Sequence, residues 1–341
     1  MGGRSAPASF AVAVLVAACW AAGLAAEPAK PVTIGYSAGL LADPFQAIQA
    51  DLTIAMARKA GLKLLPVTDA NGNPARQVAD IRKLLAGGAR GLLAVPIDRD
   101  AIVPALDAAA ARDVPVVAID TAPSAGKVAM IVRADDRRMA EDACHLIGRQ
   151  LDGEGAALSL PGYQGSSAAR DRAAGFAQCL RSEYPAIRLI EETTEGRTAG
   201  IAAIVASAIA ATPDLAAIYV PSDAMMLPGV LNGLKAANRL TPVGAPRHIM
   251  LVSLDGTPLA LQRIRAGYLD AAICEPLDLY VTYGLRYLQA ALKGESFQPG
   301  PTDHDSRIVD HKGSPMDLLP APIVTRANAS SPALWGNKIK T

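Results

Sequence analysis

The chain has 341 residues, 51% of them apolar and 4% aromatic. That is more than one ordinary domain needs and enough for two. The formal net charge is +1, and no basic stripe interrupts the sequence, so a nucleic-acid-binding role is excluded.

The first thirty residues, MGGRSAPASFAVAVLVAACWAAGLAAEPAK, place Arg4 before an apolar core and end it with small residues. This is the layout of a secretory signal over 1–26, cut near Ala25 or Ala26. Two other readings stay open. A retained membrane anchor is disfavoured by the shortness of the run. VAAC, ending at Cys19, resembles a lipoprotein box and would carry a lipid. An exported protein is expected. Beyond the leader stand Cys144, Cys179 and Cys274, widely spaced and without a C-x-x-C pair. They read as small buried hydrophobes, with one disulfide an open alternative in an oxidising compartment.

Apolar, β-branched runs then alternate with helical patterns. The strand candidates of the first half are 32–38, 63–69, 91–97, 115–121 and 128–134. Those of the second half are 156–162, 187–193, 216–222, 249–255 and 271–275. Continuous apolar strands of this length are buried on both faces, as in parallel sheets covered by helices. Pro44 and Pro74 suit the first turns of two of those helices. The series divides near Asp135, which predicts two α/β domains with right-handed crossovers.

Polar residues gather where the strands end: Asp43, Asp69, Asn71, Asp98 and Asp120 in the first half, Ser222, Asp223, Asp255 and Glu275 in the second. Capping of the next helix explains each singly. The whole row is better explained by two strand-end surfaces facing one another, since ligands of open parallel sheets bind beyond the carboxyl ends of the strands.

The stretch LPGYQGSSAARDRAAGF, 160–176, adds a cation to this picture. Its glycines do not have phosphate-loop spacing. Ser166 or Ser167 caps the following helix, and Ala169, Ala173, Phe176 and Leu180 form its expected buried stripe. Arg170 and Arg172 flank that stripe near the N-terminus, where a cation opposes the macrodipole and needs a partner. Arg170 reads as a solvated charge. Arg172 reads as the one that finds acids or ligand oxygens, because a guanidinium suits bidentate bonds to vicinal hydroxyls or a carboxylate.

In order, PVTIGYS…DPF, VPIDRDAIVPAL, VPVVAID, GSSAARDRAAGF, PSDAMMLPGVL, VSLDGTP and CEPLDLYVTYGL resemble periplasmic sugar-binding proteins of the ribose-binding type, from about Pro31 to Tyr287. The tail IVTRANASSPALWGN is also similar to the ends of some sugar-transporter binding proteins. The resemblance implies the type I periplasmic binding fold: two Rossmann-like lobes with parallel sheets joined by a three-stranded hinge. The crossovers would fall near Ala134–Asp135, Glu275–Pro276 and Leu318–Leu319. The first lobe would be 27–134 with 276–317, and the second 135–275 with 318–341.

The same resemblance assigns ligand contacts to Asp43, Phe45, Asp120, Arg172, Ser222, Asp255 and Glu275. Phe45 would pack on a sugar ring, and Arg172 would bond ligand hydroxyls. Gln46 stands where a second aromatic is usual, Thr121 where ribose binders have Arg, and Gly196 where the second lobe offers an aromatic. Fewer aromatic faces and more carboxylates remain. A polyol, or a ligand carrying a positive group, fits that balance better than ribose, because carboxylates accept strong charge-assisted bonds.

The implied function is capture of a small sugar or polyol by hinge closure in the periplasm. A monomer would deliver it to an ABC permease and its ATPase. A sensory accessory presenting the same ligand to a sensor kinase or chemoreceptor is the alternative. An enzyme is not expected: G-x-S-x-G, H-E-x-x-H, Walker and G-x-G-x-x-G motifs are all missing from the sequence. No cofactor or metal is expected either. Asp303, His304, Asp305, Asp310 and His311 are spaced for no compact metal site, and 302–313 reads as a solvated insertion. Trp335 reads as a packing anchor for the tail.

Overall fold

The computed structural model describes residues 1–3, 31–194 and 198–339. All but the first three residues of the expected leader, together with Cys19 and Gly196, lie outside the described residues. No helix among the described residues is long and apolar enough to cross a membrane.

In chain order come β1 (Thr33–Ala38), α1 (Pro44–Lys59), β2 (Lys63–Leu64), β3 (Thr68–Asp69), α2 (Pro74–Ala86), β4 (Gly91–Ala94), α3 (Val103–Ala110), β5 (Val116–Ile119) and β6 (Met130–Ala134). Then follow α4 (Asp136–Gln150), β7 (Gly155–Ser159), α5 (Ser167–Glu183), β8 (Ile187–Glu191), α6 (Ile201–Ala211), β9 (Leu215–Val220), α7 (Asp223–Ala236), β10 (Met250–Asp255), α8 (Pro258–Arg265) and β11 (Ala271–Cys274). The chain continues through α9 (Leu277–Ala291), β12 (Gly300–Pro301), β13 (Arg307–His311), β14 (Ser314–Leu319), β15 (Ile323–Val324) and α10 (Trp335–Lys338).

The strands form two sheets. One is ordered β12-β13-β14-β6-β5-β4-β1-β2, with β3 also on β1; the other is β15-β11-β10-β9-β7-β8. The pairs are parallel except β12 with β13, β13 with β14, and β15 with β11. The chain passes between the sheets three times, after β6, β11 and β14.

Alternation along each strand explains why both faces are covered. In the first sheet Leu93, Val117 and Ile119 join the core with Phe45 and Tyr280 of α1 and α9, while Leu92, Val116 and Ala118 join the core with Leu84 and Leu106 of α2 and α3. The second sheet behaves alike. Tyr219, Val252 and Leu254 face Cys144 and Phe176, and Ile218, Val220 and Leu251 face Val205 and Leu227. Side chains of opposite parity bury against opposite helical layers.

Helices α4 and α5 approach closely because small residues line their seam. A methyl group at Gly175 would meet the Arg137 carbonyl oxygen at 2.7 Å, and one at Gly148 would meet the Tyr184 ring at 2.4 Å. Across this seam Cys144 and Cys179 form a disulfide. That corrects the expectation of two inert buried thiols. Cys274 is free and buried, as expected.

The polar stretch 302–313 also departs from expectation. It contributes β13 to the sheet rather than a solvated insertion. The reason is Asp317, a fully buried acid on β14. It accepts hydrogen bonds from Ser306 Oγ at 2.5 Å and Tyr287 Oη at 3.0 Å, and pairs with His304 Nε2 at 2.9 Å. The His304 ring stacks on Tyr283, with centroids 3.6 Å apart. One buried carboxylate thus draws the loop inward, since an unsatisfied one would be costly.

Candidate functional site

The carboxyl ends of the two sheets' parallel strands face each other across a cavity of about 160 Å³. All seven sequence-predicted side chains line it: Asp43, Phe45, Asp120, Arg172, Ser222, Asp255 and Glu275. The space is well below the roughly 300–1,000 Å³ of drug-sized pockets, so its guest must be small.

Local structure fixes each group. Asp43 is the N-cap of α1, its Oδ1 accepting from Phe45 N–H at 2.9 Å, with Pro44 opening the helix. The neighbouring Gln46 braces the β1–α1 turn by accepting from Gly39 N–H and Leu40 N–H at 3.1 and 2.9 Å. Phe45 presents its ring edge-on to Trp335, with centroids 5.5 Å apart. Trp335 itself donates Nε1–H to the Asp255 carbonyl at 3.0 Å, so the tail is anchored as expected. Asp120, just past β5, and Asp255, at the end of β10, have φ of 69° and 92°. Such left-handed backbone is uncommon outside glycine and concentrates at functional sites. Ser222 caps α7 and donates to Asp255 Oδ2 at 2.8 Å.

Asp223, the first residue of α7, does not cap it. Its carboxylate accepts from Ser253 Oγ, Gly256 N–H and Thr257 N–H at 3.0–3.1 Å, tying α7 to the turn after β10. Gly256 is required in that turn: its φ is 78°, and a methyl group there would lie 2.1 Å from Cys274 Sγ.

Arg172 lies inside the buried stripe of α5 rather than beside it. Ala168, Arg172, Phe176 and Leu180 are buried, while Ala169 and Ala173 are only half-buried and Arg170 is exposed. Its guanidinium donates to Asp136 Oδ1 at 2.5 Å, to the Pro221 carbonyl at 2.8 Å, to Asp255 Oδ1 at 3.1 Å and to Glu275 Oε1. Asp136 is the group that sequence reading missed. Its second oxygen is bonded by Arg133, which also pairs with Asp171 at 3.1 Å. The available signal was Arg133 itself, a charge inside an apolar strand that had to have an acid nearby.

Besides the contacts of Arg133, further hydrogen bonds among the described residues cross from the first-sheet side to the second near this cavity. Tyr163 Oη donates to Asp98 Oδ2 at 2.7 Å, Arg99 N–H to the Gly165 carbonyl at 3.0 Å, and Ala122 N–H to Ser167 Oγ at 2.8 Å.

Acids outnumber bases here, and protonation responds. Burial, reinforced by the Asp255 charge, pushes Asp43 up to about 7. Burial also pushes Asp120 up to about 7, against the pull of Arg172. Burial and Asp255 push Asp223 up to about 7. Burial raises Asp255 and Glu275 as well, with Arg172 opposing. Asp136 goes the other way: burial would raise it, but Arg172 and Arg133 hold it below the usual carboxylate range.

Asp43, Asp120 and Asp223 hold protons in the folded state that the unfolded chain releases above about pH 4. Their contribution is fully present below that pH and is lost as pH rises through about 7. The ligand-free protein should therefore melt at a lower temperature at pH 8 than at pH 5. Scanning calorimetry across that range checks it, and a melting point that is flat or rises toward pH 8 refutes the protonation pattern.

The chain matches the periplasmic binding protein domain family over residues 34–296. It is 30% identical over 267 residues to the ribose import binding protein of Salmonella typhimurium, covering 78% of this chain and 86% of that protein. It is 24% identical over 234 residues to a xylitol-binding protein of Mycolicibacterium smegmatis, covering 68% of this chain and 64% of the other. Among solved structures, a Caulobacter myo-inositol binding protein bound to myo-inositol superposes with a TM-score of 0.75 at 20% identity, covering 88% of this chain and 95% of that one. The last of these speaks for the fold alone.

Proposed function

The chain belongs to the periplasmic binding protein family, in its ribose-binding branch, and on that footing we propose that it encloses a small sugar or polyol between its lobes and releases it to an ABC permease. The relatives are binding proteins rather than enzymes. The observation that carries the reading is the cavity itself: side chains from both sheets, rich in hydroxyl acceptors, converge on one small space. Asp43, Phe45 and Asp120 grip from one lobe, and Arg172, Ser222, Asp255 and Glu275 from the other. The lobes would be 27–134 with 276–317 and 135–275 with 318–341; the strands divide between the sheets in nearly this way, except that Leu318 and Leu319 end β14 in the first sheet.

Mechanism follows from differential affinity. A guest that touches both lobes is bound fully only when they are together, so it shifts the hinge equilibrium toward closure. The bonds from Tyr163 to Asp98 and from Ala122 to Ser167 add to the closed form. In the periplasm, the closed monomer is the form a permease and its ATPase would read.

A thermal-shift panel of pentoses, hexoses and polyols tests this. A true ligand at a hundred times Kd adds about 2.7 kcal/mol, which raises the melting point by about 5 °C in a protein of this size. A panel without any shift, repeated by calorimetry with the same result, removes the proposal.

A further inference from the structure

We propose that the guest carries a protonated amine beside its hydroxyls, and that Asp43 and Asp120 of the first lobe receive it. The inference deepens the sugar-or-polyol reading and rests on it.

Among the described residues, the cavity wall holds one guanidinium, that of Arg172. Arg172 gives its donors to Asp136, Asp255, Glu275 and the Pro221 carbonyl, all on the second-lobe side. The other buried guanidinium, Arg133, is committed to Asp136 and Asp171. Among the described residues, no Lys, Arg or His nitrogen lies within 4.0 Å of Asp43 or Asp120. Asp43 has one oxygen on Phe45 N–H, and the other accepts no hydrogen bond from any described residue. Asp120 accepts no hydrogen bond from any described residue. The next residue, Thr121, is buried on the same wall and brings no charge.

Two carboxyls facing one small cavity with no cation in bonding range must either keep protons or gain a positive partner. A neutral hydroxylated guest leaves them protonated, and a protonated carboxyl is a weaker acceptor. An ammonium supplies three N–H donors and the missing charge together. Its bonds to carboxylates are charge-assisted, roughly twice as strong as neutral ones. The protons held by Asp43 and Asp120 would leave as it enters.

A bare metal ion fits less well. Among the described residues, one group of three potential ligands converges within 4.8 Å, and it is His145, Cys179 and Glu183, further along α4 and α5. The cleft acids are too dispersed to close on a point charge. They match a molecule that spreads its donors over several ångströms, within about 160 Å³. The chemical class is thus an amino sugar, aminocyclitol or amino alditol of about one ring or one short chain.

The test is calorimetric titration with matched compounds: glucosamine, glucose and N-acetylglucosamine; an aminocyclitol and the corresponding cyclitol; 1-amino-1-deoxysorbitol and sorbitol. We expect at least one amine to bind tenfold or more tightly than its hydroxyl counterpart, with proton release at pH 6 revealed by buffers of different ionisation enthalpy. Asp120→Asn, and separately Asp43→Asn, should erase that preference while the variant still melts cooperatively. If hydroxyl compounds bind as well as their amines in every pair, the amine assignment is wrong and the sugar-or-polyol reading survives. If nothing in either series binds, both fall. Calcium chloride alone is the control; saturable binding of Ca²⁺ by the cleft would also overturn the assignment.

Discussion

Replacing Arg172 by Met should lower the unfolding free energy at pH 7 by about 3–5 kcal/mol, the usual result of removing one partner from a buried ion cluster. The side chain it removes is buried and holds Asp136, Asp255 and Glu275 at once. Methionine fills much of the volume, so the loss is electrostatic rather than a cavity effect. The pH dependence separates the two. The orphaned acids can take up protons as pH falls, so the variant should regain much of its deficit at pH 5, whereas a packing defect would not. Urea denaturation at the two pH values decides it. Equal deficits at pH 5 and pH 7, or no deficit at all, would mean that Arg172 does not hold the acids together. Ligand binding should disappear in the same variant, because Asp255 and Glu275 lose the group that positions them.

Removing the disulfide should have an effect of similar size. Cys144 and Cys179 are 35 residues apart in sequence, and a crosslink closing such a loop stabilises by about 3–4 kcal/mol in the chain-entropy treatment. The Cys144→Ala/Cys179→Ala double variant should lose that amount of unfolding free energy, read as an earlier urea midpoint, and reduction of the parent by a phosphine should reproduce it. The bond joins α4 to α5, and α5 carries Arg172. Loosening that seam should therefore also weaken ligand binding. Unchanged midpoints would show that packing at Gly148 and Gly175 alone secures the two helices.

How much of this was legible in the sequence depended on periodicity and on paradox. The parallel strands were legible because burial on both faces leaves unbroken apolar runs, as in Gly91–Ala94 and Val116–Ile119. β13 and β14 were not, because their positions are half-buried and interrupted by Pro315 and Asp317. Arg172 stood out because a cation early in a helix must be compensated. Asp136 did not, since an acid in the first turn of a helix is ordinary and Asp135 already served as the cap. The disulfide was hidden for a different reason: sequence spacing says nothing about which helices share a seam, and glycines that allow close approach look like any others. Asp43 and Asp120 were visible as strand-end acids. That neither forms an ion pair could be learned only from where the arginines point.

The tail bears on how closure could be watched. In a chain reduced to residues 27–341, Trp335 is the sole indole, since the other tryptophan is Trp20. It touches the Phe45 ring from the first lobe and the carbonyl of Asp255 from the second. Its emission therefore samples both jaws at their meeting point. If the lobes close on a guest as proposed, this indole would give such a chain an optical gauge of occupancy, readable in a stopped-flow cuvette without any label.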